Sequence, residues 1–350
     1  MPAERSRMRS TPMSRPGSVT IRTTRTARRR PANCGIIEGP IEGPIDSSDR
    51  ACARNDVYVG AIDEHDLKSG HDGTRYTFAY GQYRVAYEIH GSGDRVLVWL
   101  HGLLLDANLS RHLARRLAAQ GNRVVLLDLL GHGRSDRPRN AGALRMDLYA
   151  EQVLCLLDEL GVDQAVLGGV SLGTNVSLLT AVAAPERVRG LVLEMPVLES
   201  AVPAAVGVFM PVLILAHYGH RAVRLLSRAA RLVPQSGIGA LDTFVSAVAS
   251  DPDETAAVLH GVLIGPIAPT SDQRRAITAP ALVLGHGIDL IHSFTDAERL
   301  TRQLPNARLI RTRTFAELWV WPGRLTGEIS TFLDRVWEGV EKGGSARTLQ

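Results

Sequence analysis

At 350 residues, 45% apolar and 22% charged, the chain is long enough for one large domain with a sizeable core, or for one domain with appendages. Its net charge of +4 is unevenly held: residues 1–30 carry nine arginines against one acid, Glu4, which leaves residues 31–350 at −4. Arginine supplies 38 of the 40 cationic side chains, the other two being Lys68 and Lys342, a bias that fits a GC-rich genome rather than a basic binding face. The three cysteines, Cys34, Cys52 and Cys155, are odd in number and lack metal-ligand spacing, which argues against a disulfide scaffold and fits a reducing cytoplasm.

Residues 1–72 read as a disordered, Arg-rich N-terminal tail. The first thirty are Arg, Ser, Thr and Pro without periodicity, and a tandem Ile-Glu-Gly-Pro repeat follows from Ile37 to Pro44. Such a segment buries too little apolar surface to offset its ordering entropy. It reads as a solvated arm, or as upstream sequence brought in by an early start. No aromatic is interleaved with the basic residues before Tyr58, which argues against nucleic acid as a partner. No apolar segment follows the arginines, so the pattern is not that of a secretory or twin-arginine signal.

From Thr74 the pattern changes. Two stretches with period-two alternation, Tyr76–Tyr80 and Tyr83–Ile89, flank Gly81 and predict a β-hairpin at a sheet edge. Val96–Leu100 is a continuous apolar run, as expected of a buried parallel strand. A helix is expected from Asn108 to Ala119, a strand over Val124–Leu127, and a helix from Leu148 to Leu160 stopped by Gly161. A strand at Ala165–Leu167, a helix from Asn175 to Ala184 and a strand at Leu191–Leu193 follow. The alternation breaks after Pro196. It resumes with a strand at Ala281–Leu284, a helix from Asp296 to Gln303, a strand at Arg308–Ile310 and a last helix from Leu325 to Val340. Alternating strands and helices predict an α/β fold: a mostly parallel, doubly wound sheet with helices on both faces. Residues 73–197 and 278–340 form its core, 198–277 a helical lid over the ligand crevice, and 341–350 a flexible C-terminus. The longest apolar run, Ala201–Ala216, is broken by Pro203 and Pro211. It falls short of the roughly 20 residues that span a bilayer, so it reads as buried or lid structure and no membrane span is expected.

The chemistry gathers at Gly169-Val170-Ser171-Leu172-Gly173. A serine between two glycines at a strand-to-helix corner fits a nucleophile elbow. Leu100-His101-Gly102-Leu103 ends the third strand, and the N–H groups of Leu103 and Leu172 could form an oxyanion hole. Asp128–Asp136, reading DLLGHGRSD, ends the fourth strand as a compact polar loop. Gly168–Gly173 lacks dinucleotide spacing, no phosphate-binding loop is present, and no histidine–cysteine cluster has metal spacing, so neither cofactor nor metal is expected.

In this order the three motifs make residues 75–338 strongly resemble the α/β-hydrolase fold superfamily, in its serine-nucleophile branch. The resemblance implies an ester, thioester or similar acyl substrate, a small and lipophilic molecule if the apolar lid lines the crevice. The serine at position 171 argues against the epoxide-hydrolase and haloalkane-dehalogenase branches. It also implies an orienting acid after the late strand, which carries over to Asp289, with Glu194 as runner-up. The family's Gly-His after the last strand is missing: spacing back from Pro322 puts Phe315 there, and no histidine follows His292. The base must then come from elsewhere. His292 is the better candidate, because three loop residues could fold it back toward the crevice. His286 shares that loop; His217, His220 and His260 lie in the lid, and His101 and His132 read as loop supports. If none reaches Ser171, the alternative is a non-catalytic relative that binds a small molecule or a partner protein. Nothing in the pattern specifies an oligomeric state.

Overall fold

Among the described residues eight strands form one sheet in the order β1-β2-β4-β3-β5-β6-β7-β8. The computed structural model describes residues 73–339 apart from 235, 288, 315, 316 and 321. The tail read over 1–72, the segment 341–350 and the Phe315 position lie outside the described residues. β1 (Thr74–Tyr80) and β2 (Tyr83–His90) pair antiparallel as a hairpin at one edge, turned by Gly81 at φ 58°. β2 is antiparallel to β4 (Arg123–Asp128). From β4 onward, through β3 (Val96–Leu100), β5 (Ala165–Val170), β6 (Val188–Glu194), β7 (Ala281–His286) and β8 (Ala307–Thr312), every pairing is parallel.

The parallel strands are apolar at nearly every position because both of their faces are covered. Val98, Leu100, Val125, Leu127, Leu167 and Leu193 point to one face. There they meet α2 (Met146–Glu159), α3 (Leu172–Ala183) and α9 (Phe294–Gln303). Leu97, Trp99, Leu126, Val166 and Val192 point to the other, against α1 (Arg111–Ala118) and α11 (Gly323–Glu338). Each Val or Leu buried this way contributes roughly 1.5–3 kcal/mol. Cys155 is buried in α2, and Cys34 and Cys52 lie outside the described residues.

Between β6 and β7 the chain leaves the sheet for five helices: α4 (Val202–Tyr218), α5 (His220–Ala230), α6 (Gly239–Ala249), α7 (Pro252–Leu263) and α8 (Ser271–Ala276). Buried groups tie the entry and exit of this insertion to α9. The fully buried Asp296 carboxylate accepts the N–H groups of Leu198, Ser200 and Ala201 at 3.0, 3.2 and 2.8 Å. Buried Arg274 donates to Gln303 and to Glu199 at 2.7 and 2.6 Å. The apolar run Ala201–Ala216, read as buried or lid structure, falls mostly in α4 of this insertion, where Leu213 and Ala216 are the buried residues. Among the described residues no single helix is long and apolar enough to cross a membrane. A four-residue helix, α10 (Glu317–Val320), precedes α11.

Candidate active site

Ser171 occupies the corner between β5 and α3 with φ 54° and ψ −109°. A non-glycine residue with positive φ costs of order 1–3 kcal/mol and persists only where its surroundings impose it. Here the Ser171 N–H donates to Glu194 O at 2.9 Å, and the Thr174 hydroxyl lies 2.7 Å from Gly169 O and 2.6 Å from Glu194 O. The flanking glycines let strand and helix close on each other. A Cβ on Gly169 would come 2.7 Å from Leu100 O, and one on Gly173 2.4 Å from it. The corner therefore presents the half-buried Ser171 hydroxyl above the C-terminal edge of the sheet.

The loop after β7 returns to meet it. Gly285 lets α9 pack on the end of β7, since a Cβ there would meet Ala297 and Phe294 at 2.9 Å. Asp289 then folds the loop around its own side chain: Oδ1 accepts the N–H groups of Ile291 and His292 at 2.7 and 2.8 Å. The same oxygen lies 3.0 Å from His292 Nδ1, and His292 Nε2 lies 2.9 Å from Ser171 Oγ. A carboxylate can only accept, so Nδ1 carries the ring proton and Nε2 is left to accept from the serine hydroxyl. Burial alone would raise the Asp289 carboxyl. The hydrogen bonds from the His292 ring and backbone and from the Ile291 N–H outweigh it and hold the group well below the usual carboxylate range.

Leu103 and Leu172 line the same cavity as Ser171. Leu172 is the first residue of α3, so its N–H has no partner in the helix ladder. Leu104 follows Leu103 at φ 61°, in a turn closed by Leu105 N–H on Gly102 O at 3.1 Å.

The other histidines lie elsewhere. His286 is fully buried, with Nδ1 3.1 Å from Thr314 O and Nε2 3.3 Å from Oε1 of the equally buried Glu194. Glu194, the alternative acid, thus faces His286 while Asp289 faces His292. His101 Nε2 accepts Leu129 N–H at 3.0 Å, and its ring lies 4.7 Å from that of His132, which is how both brace the β3 and β4 loops. Burial lowers the His101 and His132 imidazoles and keeps them neutral. His217 and His260 are exposed.

The cavity over Ser171 encloses about 770 Å³ of atom-free space, its mouth included. Its wall is apolar: Val202, Val206, Phe209, Met210 and Leu213 of α4 face Leu259, Val262 and Leu263 of α7. The one side-chain amide in the wall, Asn175, is committed to structure. Its Nδ2 donates to Val197 O and Ile267 O at 2.7 and 3.0 Å. Among the described residues no charged side chain lines this cavity. Sequence reasoning missed Asn175, Thr174 and Asp296 because a lone polar residue inside a helical pattern carries no signal of what it will tether.

A family model described as alpha/beta hydrolase fold matches residues 95–215, from β3 through the Ser171 corner into α4. Over 105 residues the chain is 39% identical to the 2-hydroxymuconate semialdehyde hydrolase of Pseudomonas sp. (strain CF600), covering 30% of this chain and 34% of that one. Over 109 residues it is 45% identical to the dihydrolipoyllysine-residue acetyltransferase component of the acetoin cleaving system of Pseudomonas putida, covering 31% and 28%. The matches thus span only about a third of these curated relatives' length. The crystal structure of the enol-lactonase from Burkholderia xenovorans LB400 superimposes with a TM-score of 0.60 at 20% identity, over 73% of this chain and 99% of that one. With sheet order and structural likeness in agreement, the chain has the α/β-hydrolase fold.

Proposed function

We propose that this protein is a serine hydrolase that cleaves an ester, thioester or similar acyl bond of a lipophilic small molecule. The observation that carries the reading is the contact chain Ser171 Oγ, His292 Nε2, His292 Nδ1, Asp289 Oδ1, with separations of 2.9 and 3.0 Å. A serine hydroxyl is a poor nucleophile at neutral pH, and a positioned base typically contributes about 10²–10⁴-fold. In this reading His292 Nε2 takes the Ser171 proton as Oγ attacks the acyl carbon. The Leu103 and Leu172 N–H groups hold the oxyanion that develops. The imidazolium returns the proton to the leaving alcohol or thiol, and the acyl group stays on Ser171. His292 then draws a proton from water, the hydroxide oxygen attacks the ester carbon, and Ser171 regains its proton as the acid departs. Asp289 keeps the imidazole in its tautomer and stabilises its charged form.

The substrate class rests on the cavity wall. With no charged side chain among the described lining residues and with Asn175 already committed, the wall beyond Ser171 and the two N–H groups offers the acyl chain apolar contact, which favours a neutral, oily chain. The alternative of a non-catalytic binding protein rested on the missing base, and the 2.9 Å approach of His292 to Ser171 supports the catalytic reading over it. Turnover of p-nitrophenyl esters of increasing chain length tests the reading. Hydrolysis that rises from acetate to octanoate and vanishes in Ser171→Ala is the expected result. A folded native protein that turns over none of them contradicts it.

A further inference from the structure

We propose that the α4–α5 elbow docks the protein on an anionic lipid surface, with the outer face of α4 and the tip of α5 seated at the membrane interface. α4 is apolar on all sides, yet only one of its sides is used. Val202, Val206, Phe209 and Leu213 recur at helical spacing and face the cavity. The opposite side is in solvent: Ile214 and Leu215 are 51% and 57% exposed, and Tyr218 at the end of the helix is 82% exposed. A bend of 103° then leads into α5. There Leu225 and Leu226 are 70% and 59% exposed. Soluble proteins rarely leave so continuous an apolar patch to water unless something covers it.

Charge selects the occupant. Residues 200–241 contain four arginines, Arg221, Arg224, Arg228 and Arg231, and no acid. Arg224 is held by Asp253 at 3.3 Å, and Arg231 donates to Ala249 O at 2.9 Å. Arg221 and Arg228 are exposed, and no ion pair holds them among the described residues. They bracket Leu225 at i−4 and i+3, so one face of α5 presents guanidinium, leucine and guanidinium in succession. Exposed leucines flanked by arginines are what an interfacial helix offers to anionic headgroups. The apolar side chains enter the acyl boundary while the cations stay at phosphate level. The inner side of α4 walls the cavity and its outer side is the docking face, so docking brings the bilayer to the helix that bounds the proposed active site. The docking itself does not depend on the chemistry at Ser171.

Flotation of the full chain with phosphatidylcholine vesicles, with and without phosphatidylglycerol, tests the proposal. The protein is expected to float with the phosphatidylglycerol vesicles. Ser171→Ala is expected to float equally, which separates docking from catalysis. The Leu225→Ser/Leu226→Ser variant, its fold checked by circular dichroism, should bind at least about tenfold more weakly. Arg221→Gln/Arg228→Gln should lose about tenfold on anionic vesicles. A tryptophan introduced as Leu225→Trp should be quenched by brominated lipid, a readout that the arginines of residues 1–30 cannot produce by binding headgroups alone. Three results would each overturn the proposal. They are absence of flotation, flotation undiminished in the leucine variant, and a dimer that the leucine variant dissociates without any vesicle binding, which would make a second copy the occupant.

Discussion

The sheet and the β6–β7 insertion are both rich in apolar residues, yet they use them in opposite ways. In the sheet, Leu97 and Val98 on adjacent positions of β3 are both fully buried, one on each face. In the insertion, Val212, Ile214 and Leu215 of α4 all remain in solvent. The sheet spends its apolar side chains on stability, and the insertion turns its own toward a cavity on one side and outward on the other. The serine, the imidazole and the carboxylate stand at the seam. Ser171 belongs to the rigid sheet edge and is held in a strained turn by Glu194 O and by glycines too tight for a Cβ. His292 belongs to a loop whose shape is set locally by Asp289.

If the seam is where the chemistry lies, the largest effects come from its polar groups. Ser171→Ala and His292→Ala should each lower kcat by about 10⁴-fold or more while leaving the melting temperature near that of the native protein. Asp289→Asn should approach the same loss, because an amide in its place no longer enforces the Nδ1–H tautomer. Steady-state kinetics beside thermal unfolding separates these from folding defects. A His292→Ala enzyme with native turnover would return the base to another histidine.

The contrast in packing predicts the next largest effects. Leu167→Ala, inside β5, should cost about 2–5 kcal/mol by leaving a cavity in a close-packed interior. Leu215→Ser, on the outer side of α4, should change stability by no more than about 0.5 kcal/mol. Denaturant unfolding of both variants measures the difference, and equal costs would mean that the insertion's outer face is buried in the protein as it stands in solution. Gly173→Ala falls on the sheet side of the comparison. Its Cβ would press on a backbone carbonyl with no room to yield, so a loss of at least about 2 kcal/mol is expected.

Much of this organisation was legible in the sequence, for definable reasons. Continuous apolar runs such as Val96–Leu100 report a strand covered on both faces, and glycines two residues either side of Ser171 report a close approach. Aspartate and histidine three residues apart suggested that the loop could fold back, and the Asp289 turn is the device that folds it. What the sequence could not carry was the direction of the α4 side chains. A helix apolar on every side looks the same whether it is buried or displayed, since composition records no neighbours. The tethers made by Asp296 and Asn175 were equally hidden, because their partners are backbone groups, which any sequence possesses.

Smaller effects probe the cavity and the acid. Phe209→Ala should raise KM for an octanoate ester about tenfold and leave an acetate ester nearly unchanged, since only the longer chain reaches α4. The pH profile follows from Asp289. Its carboxyl is held low in the folded state, so the stability it adds is present above its unfolded value of about 4 and is lost only as pH falls toward its folded value. The carboxylate therefore stays ionised throughout the range in which an imidazole loses its proton. The acid limb of kcat/KM should show the slope of a single proton, and a two-proton slope would place a second titrating group in the site.

Intact-mass measurement of the adduct formed with a fluorophosphonate reads the activated hydroxyl itself. The native protein should gain one phosphonyl group, mapped to Ser171, at a rate that falls by about 10³-fold or more in His292→Ala. A native protein that gains none, or a His292→Ala protein labelled at the native rate, would contradict the assignment of Ser171 and His292 as nucleophile and base.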